Sequence, residues 1–439
     1  MIMEIRAFIT KANTIIINNF ISPIRLKDSR FLQPTVLFGS MILSMGINFL
    51  SSIVTARALG PTNYGDLRYV QTVWSLLALI ITFGYFYSGS RALVLEKDLQ
   101  KCREISGMII FVSLIMGMVI FLVIILMAHP LDMIFHVNLA VLIAQMAPLI
   151  IILPLSQALP LILQSTNQIY LLSIFTGIPS ALYLVSILLL SWIKQVSISS
   201  VLLSQQLTTL IVILVILIYT KPSLASMKFW WSEARRHNKT YGFPVYLGAL
   251  VGVGSTYLNY LAVSYWVDNT AIGFFSLASA LVTPLSLIPN AIATSNFRSF
   301  ASRSKISDKV FLATVILCFA SLAIAFVFFG SPISWIYTSK FVEVGPMARA
   351  LAFGAILLGF GDLFNRFLGA HGKGKPIQNA AYANGIATIA CVFIFVPLWG
   401  VWGAILATLI PNGIYFFLLF FKYRTFSHQI TAQEIGGKN

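Results

Sequence analysis

Seven polar residues between Ser276 and Arg298 fall on one helical face. Ser276, Ser279, Thr283, Ser286, Asn290, Thr294 and Arg298 lie within a stripe of about 120° at 100° per residue. The surrounding run is apolar, and Pro284 and Pro289 free backbone carbonyls inside it. Hydroxyls and amides bond water or one another, and a guanidinium carries a fixed positive charge. A polar stripe this long, ending on a cation, should avoid lipid. It predicts a water-filled cavity, with interhelical hydrogen bonding as the competing reading.

Corresponding faces recur along the chain. Arg68, Gln71, Ser75 and Thr82 share a side, and a shift of 208 residues carries them onto Ser276, Ser279, Thr283 and Asn290. Ser44, Asn48, Ser51 and Thr55 form another face, whose counterparts are Gly252, Thr256, Asn259 and Val263, with Tyr260 beside them. Four helices, two per half, therefore predict one hydrophilic lumen with Asn48, Arg68, Gln71, Asn259, Thr283, Asn290 and Arg298 among its lining residues. Three cations have a bland reading as well. Arg57 sits half a turn from the Asn48 face and either serves the lumen or snorkels to the headgroups. Arg91 and Arg298 close their helices and either line the lumen or set orientation. Asp362 and Arg366, four apart, predict a local ion pair. Asp362 is also the acid placed deepest in an apolar run, which makes the pair the candidate for ion coupling.

Catalytic patterns are missing from the sequence. It has no Gly-rich phosphate loop with a lysine and no nucleophile with a plausible His and acid. His129, His136 and His371 fit no strong metal motif, and Cys102, Cys318 and Cys391 suggest neither a disulfide framework nor a metal site. A transport protein without a cofactor is expected rather than an enzyme.

The elements that must position these faces follow from composition. The 439 residues are 58% hydrophobic and 10% charged. A soluble domain cannot cover that much apolar surface, whereas lipid solvates it. Apolar runs fall near 32–55, 69–90, 106–128, 139–163, 169–192, 200–220, 241–266, 271–296, 310–330, 346–369, 376–396 and 400–421, each close to the roughly 20 residues a helical span needs. They are too long and too uniformly apolar for barrel strands. The predicted fold is an all-α integral membrane protein with about twelve transmembrane helices.

The net charge of +16 is a membrane-orientation signal here, not a sign of nucleic acid. Of the 29 Lys and Arg, 24 fall in alternate loops and the termini, which predicts that both termini are cytoplasmic. The first long apolar run opens near Leu32 after a basic leader, so no cleavable signal peptide is expected. Tyr64-Gly65 and Ile272-Gly273 mark the same 208-residue repeat. Six helices is an even number, so the two bundles are parallel repeats, an arrangement in which transporters bind substrate between the halves. The expected organisation is a cytoplasmic leader over 1–31, a six-helix bundle over 32–220 and an interfacial linker over 221–240. A second six-helix bundle over 241–421 and a cytoplasmic tail over 422–439 follow. Phe229, Trp230 and Trp231 among the linker's basic residues predict an amphipathic anchor.

Three segments carry a family resemblance. TARALGPTNYGDL at Thr55–Leu67, YWVDNTAIGFFSLASAL at Tyr265–Leu281 and GAHGKGKPI at Gly369–Ile377 resemble Wzx-type lipid-linked oligosaccharide flippases of the MATE-related MOP superfamily. The resemblance implies a multi-pass protein of the bacterial inner membrane. It implies transfer of an undecaprenyl-pyrophosphate-linked oligosaccharide from the cytoplasmic to the periplasmic leaflet through a cationic lumen. Arg57 and Arg298 best match the family's lumen cations. A surface polysaccharide such as O-antigen or lipopolysaccharide is the implied product. Membrane lipids, a polysaccharide polymerase and a chain-length regulator are the implied partners. Rival readings are a multidrug exporter of the same superfamily, disfavoured by the basic bias, and a major-facilitator transporter, whose Gly…Asp-Arg pattern is replaced here by RALVLEKDLQKCRE. A membrane glycan polymerase or ligase is the reading from another class, and it would want a large outer loop.

Overall fold

Two glycines decide how the longest helices cross. In the computed structural model, which describes residues 29–436, α1 (Ser29–Ile80) is 52 residues long and α15 (Gly374–Gly436) is 63. At 1.5 Å per residue α1 alone would extend about 78 Å, more than twice the roughly 30 Å hydrocarbon core. Each bends at one residue with positive φ, Gly60 at 76° and Gly400 at 56°. Only glycine enters that backbone region without a Cβ penalty, so each long helix becomes two rods. Residues 1–28 of the basic leader, and the last three of the tail, lie outside the described residues. The rest of the tail continues α15 as helix.

Between these lie α2 (Tyr85–Leu95), α3 (Leu99–Phe135), α4 (Ala140–Met146), α5 (Ile152–Ser165), α6 (Ile169–Trp192) and α7 (Ile198–Thr220). Then come α8 (Met227–His237), α9 (Phe243–Trp266), α10 (Asn269–Ser295), α11 (Phe297–Ala301), α12 (Asp308–Phe328), α13 (Ser331–Tyr337) and α14 (Val344–Ala370). Ten helical stretches among the described residues are long and apolar enough to cross a membrane. The protein is a multi-pass, all-helical membrane protein. The second predicted span differs from its apolar run: it begins at the Gly60 bend and breaks at residues 81–84, where Gly84 has φ 82°. The predicted linker contains α8, and a π-turn over Asn238–Gly242 leads from it into α9.

The apolar cores place the two halves relative to one another. At the end of the bundle remote from α8, one continuous core joins residues of both halves, including Trp74, Ile143, Phe275 and Phe341. At the α8 end each half keeps its own core. Phe86, Ile109, Leu159 and Ile213 belong to one, and Phe300, Phe364, Phe367 and Leu419 to the other. The halves thus share one core at the far end and keep separate cores at the linker end, where α9 still meets the first half through Tyr246 Oη, which donates to the Ile80 carbonyl at 2.8 Å, and through the close approach of Gly84 to Gly242. Glycines make the far-end contact possible. A Cβ on Gly273 would lie 3.0 Å from Gly65 Cα, and one on Gly65 would overlap the Asn269 carbonyl oxygen. A polar clasp flanks them, in which Asn269 Nδ2 donates to Asp66 Oδ1 at 2.7 Å and Ser264 bonds Asn269 Oδ1.

Candidate functional site

The site is built on one face of the rod that follows Gly60. Tyr64, Arg68, Gln71 and Ser75 recur at helical spacing, so their side chains meet. Arg68 Nε donates to Tyr64 Oη at 2.9 Å, and Nη2 makes a second, short bond to the same oxygen. The guanidinium carbon also lies 4.9 Å from the Tyr64 ring centroid. Arg68 Nη1 donates to Gln71 Oε1 at 3.1 Å, and Gln71 Nε2 donates to Gln205 Oε1 of α7 at 2.7 Å. Two bonded neighbours therefore fix the guanidinium. Of its five N–H donors, three are used in these bonds, leaving one on each terminal nitrogen.

Two cavities meet at this chain of side chains. The first, about 320 Å³, lies inside the N-terminal half. Asn48, Ser51, Ser52 and Thr55 of α1 line it from one side and Tyr183 of α6 and Thr208 and Thr209 of α7 from the other. Tyr183 and Thr55 hydroxyls bond at 3.1 Å across it. The second, about 400 Å³, lies between the halves and is lined by Ser75, Tyr257, Tyr260, Ser276, Ser279 and Thr283. Arg68, Gln71 and Gln205 line both. Neither wall contains an Asp or Glu, and Arg68 forms no ion pair among the described residues. A cation held in a membrane interior costs about 2.5–3.5 kcal/mol. Here it is offset only by neutral dipoles, and the two free donors present a fork that matches phosphate or carboxylate.

The predicted site residues divide between this centre and elsewhere. Arg68, Gln71, Asn48 and Thr283 come together around the two cavities. Asn259 does not join them: it is buried, donating to the Ala404 carbonyl at 3.1 Å and Thr408 Oγ1 at 3.2 Å of α15. It is Tyr257 and Tyr260 that α9 turns toward the cavity. Arg57 is exposed at the far end and donates to the Trp335 carbonyl. Arg91 is exposed, with its guanidinium carbon 4.5 Å from the Tyr241 ring centroid. Arg298 belongs to α11, but its side chain lies outside the described residues.

Asn290 and Asp362 form a separate cluster in the second half. Asn290 Nδ2 approaches Asp362 Oδ2 at 3.5 Å, and Tyr415 Oη donates to Asp362 Oδ1 at 3.1 Å. The local pair expected with Arg366 is not made within 4.0 Å among the described residues. Asp362 turns to neighbouring helices, and Arg366 is exposed. Sequence reasoning missed Gln205, Thr208 and Thr209. The signal was present as Gln-Gln-Leu-Thr-Thr at 205–209 inside an otherwise apolar run.

Residues 34–300 match the family described as polysaccharide biosynthesis protein. The chain belongs to that family. Its fold is that of MOP-superfamily transporters. The structure of lipid II flippase MurJ in an inward closed conformation superposes with a TM-score of 0.71 at 17% identity, covering 90% of this chain and 87% of that one. An inward-facing multidrug resistance MATE family transporter of the MOP superfamily gives 0.68 at 13% identity, covering 90% and 99%. The multidrug export protein MepA of Staphylococcus saprophyticus is 28% identical over 184 residues, which span 39% of this chain and 40% of that protein. The polysaccharide biosynthesis family match covers the rod bearing Arg68, the whole first cavity and the α10 wall of the second.

Proposed function

We propose that this protein flips an undecaprenyl-pyrophosphate-linked oligosaccharide repeat unit from the cytoplasmic to the periplasmic leaflet of the bacterial inner membrane. The carrying observation is Arg68, a cation that has two unused donors and no acidic partner among the described residues, at the junction of two polar cavities. Pyrophosphate supplies the missing anion, and the Ser, Thr, Asn, Gln and Tyr side chains around it suit sugar hydroxyls. Counting each rod of α1 and α15 separately supports twelve crossings, and the distribution of basic residues supports a cytoplasmic side for both termini and α8. The linker end, where the two apolar cores are separate, is then the cytoplasmic mouth and the glycine-packed far end the periplasmic seal. Rocking of one six-helix half against the other would exchange them. Asp362, held between α10, α14 and α15, is the proposed ion-coupling acid. The protein acts as a transporter and not as an enzyme, upstream of a polysaccharide polymerase and chain-length regulator in making a surface glycan such as O-antigen.

The MepA similarity supports a second reading, export of small molecules. A cationic drug would want an acid in the cavity wall, and these walls hold a cation instead. Deletion of the gene in its host, with complementation by wild type and Arg68→Ala, separates the readings. Flipping predicts lost surface glycan and single lipid-linked repeat units trapped on the inner leaflet, rescued by wild type alone. Single units that reach the outer leaflet unpolymerised in the deletion strain would overturn it.

A further inference from the structure

We propose that Tyr64 couples occupancy of Arg68 to opening of the far end, an inference that rests on the anion-binding reading of Arg68. Tyr64 belongs to two structures at once. Its phenol oxygen takes two of the five guanidinium donors. Its ring is fully buried in the far-end core, edge-on to Phe341 of the other half at 6.4 Å, and Phe341 in turn packs on Phe274 of that same half at 5.7 Å. The next residue is Gly65, whose backbone abuts Asn269, and a Cβ on Gly273 would touch the Tyr64 ring at 3.4 Å.

The donor count makes this a switch. In the present structure Arg68 offers a ligand two N–H groups. A pyrophosphate has more acceptor oxygens than two donors can serve, and its bonds to the guanidinium join two ionised groups, whereas the phenol is neutral. The bound anion therefore draws the guanidinium off Tyr64. The phenol oxygen, on a side chain with no solvent exposure, is left without its partner at a cost in free energy. That cost falls on the side chain wedged at the seal. Opening the far end relieves it by giving the hydroxyl water. Binding and release of the seal are linked through one residue, without an intervening relay.

The test uses full-length protein in lipid nanodiscs with the cysteines at 102, 318 and 391 replaced by serine. Spin labels at Lys194→Cys and Trp399→Cys, both exposed at the far end of their halves, report their separation. Farnesyl pyrophosphate is the probe. Wild type should bind it and shift to longer label separations. Tyr64→Phe removes the phenol oxygen and keeps the ring, so it should bind as tightly or tighter and show no shift. Arg68→Ala should neither bind nor shift. A Tyr64→Phe protein that binds and shifts as wild type does, or that loses binding, overturns the coupling while leaving the anion site standing. Wild type that fails to bind overturns the anion site and the coupling with it.

Discussion

Gly65 and Gly273 stand 208 residues apart in the chain and touch across the far end of the molecule. A Cβ on Gly273 would reach Gly65 Cα at 3.0 Å. They are counterparts in the two halves, so the internal repeat closes on itself at this point. Small side chains let backbones approach closely at such a contact. The contact between the halves therefore leaves no room for a side chain at Gly65 and admits one at Gly273 only if the Gly65 backbone shifts.

Enlarging either glycine should prevent that closure. Gly65→Leu would drive a side chain into the Asn269 carbonyl, and overpacking of this kind costs about 1–3 kcal/mol. The expected result is a protein with its far end open, seen as faster thiol labelling of a cysteine at Ser276. Gly248→Ala is the control, because a Cβ there meets nothing nearer than Tyr382 Cε1 at 3.8 Å. It should label like wild type.

Substitutions at Arg68 separate charge from geometry. Hydrogen bonds to charged groups contribute about 1.5–3 kcal/mol. Arg68→Ala should weaken binding of a prenyl pyrophosphate by roughly 10- to 150-fold on that basis. Arg68→Lys keeps the charge but loses the planar fork, so it should recover only part of the affinity. Equilibrium binding in detergent or nanodiscs reads both.

Asn259 should matter for stability and not for the site. Its amide bonds α9 to α15 through Ala404 and Thr408, and interhelical bonds of this kind average about 0.6 kcal/mol in membranes, with a maximum near 1.7. Asn259→Ala is expected to lower the thermal midpoint while leaving prenyl pyrophosphate affinity unchanged within about threefold, a difference of under 0.7 kcal/mol. A large loss of affinity in well-folded protein would return Asn259 to the lumen.

Asp362→Asn tests the coupling proposal. The amide keeps the shape that packs against Asn290 and Tyr415 but cannot gain or lose a proton. Gradient-driven transport should be lost while exchange without a gradient persists. Loss of both, with normal folding, would mean that Asp362 serves the transport cycle itself.

The fold was readable because lipid leaves few choices. Long apolar runs must be helices, and the Tyr64-Gly65 and Ile272-Gly273 markers sit at the contact that joins the halves. Polar faces on α1 and α10 were readable from helical spacing, and Asn48, Ser51, Thr55, Ser276, Ser279 and Thr283 all reach a cavity. What spacing does not fix is how a helix is rotated about its own axis. Nearly every face of α9 is apolar or small, so nothing in its sequence says that Tyr260 and not Asn259 turns inward. The same limit hid α7, whose Gln205 completes the bonding of Arg68 through Gln71. The Asp362–Arg366 expectation failed for a related reason. A spacing of four permits a pair, but Tyr415 and Asn290 on neighbouring helices offered Asp362 partners inside the bundle while Arg366 remained exposed.

The most direct test is flipping itself. Purified protein reconstituted into liposomes with a fluorescent undecaprenyl-pyrophosphate-linked sugar should move the headgroup across the bilayer, read as the fraction quenched by an impermeant reductant. Wild type should raise that fraction above protein-free liposomes, and Arg68→Ala, equally folded and inserted, should not. Equal movement by Arg68→Ala, or wild type that moves a cationic dye but leaves the lipid-linked sugar in place, would contradict the account.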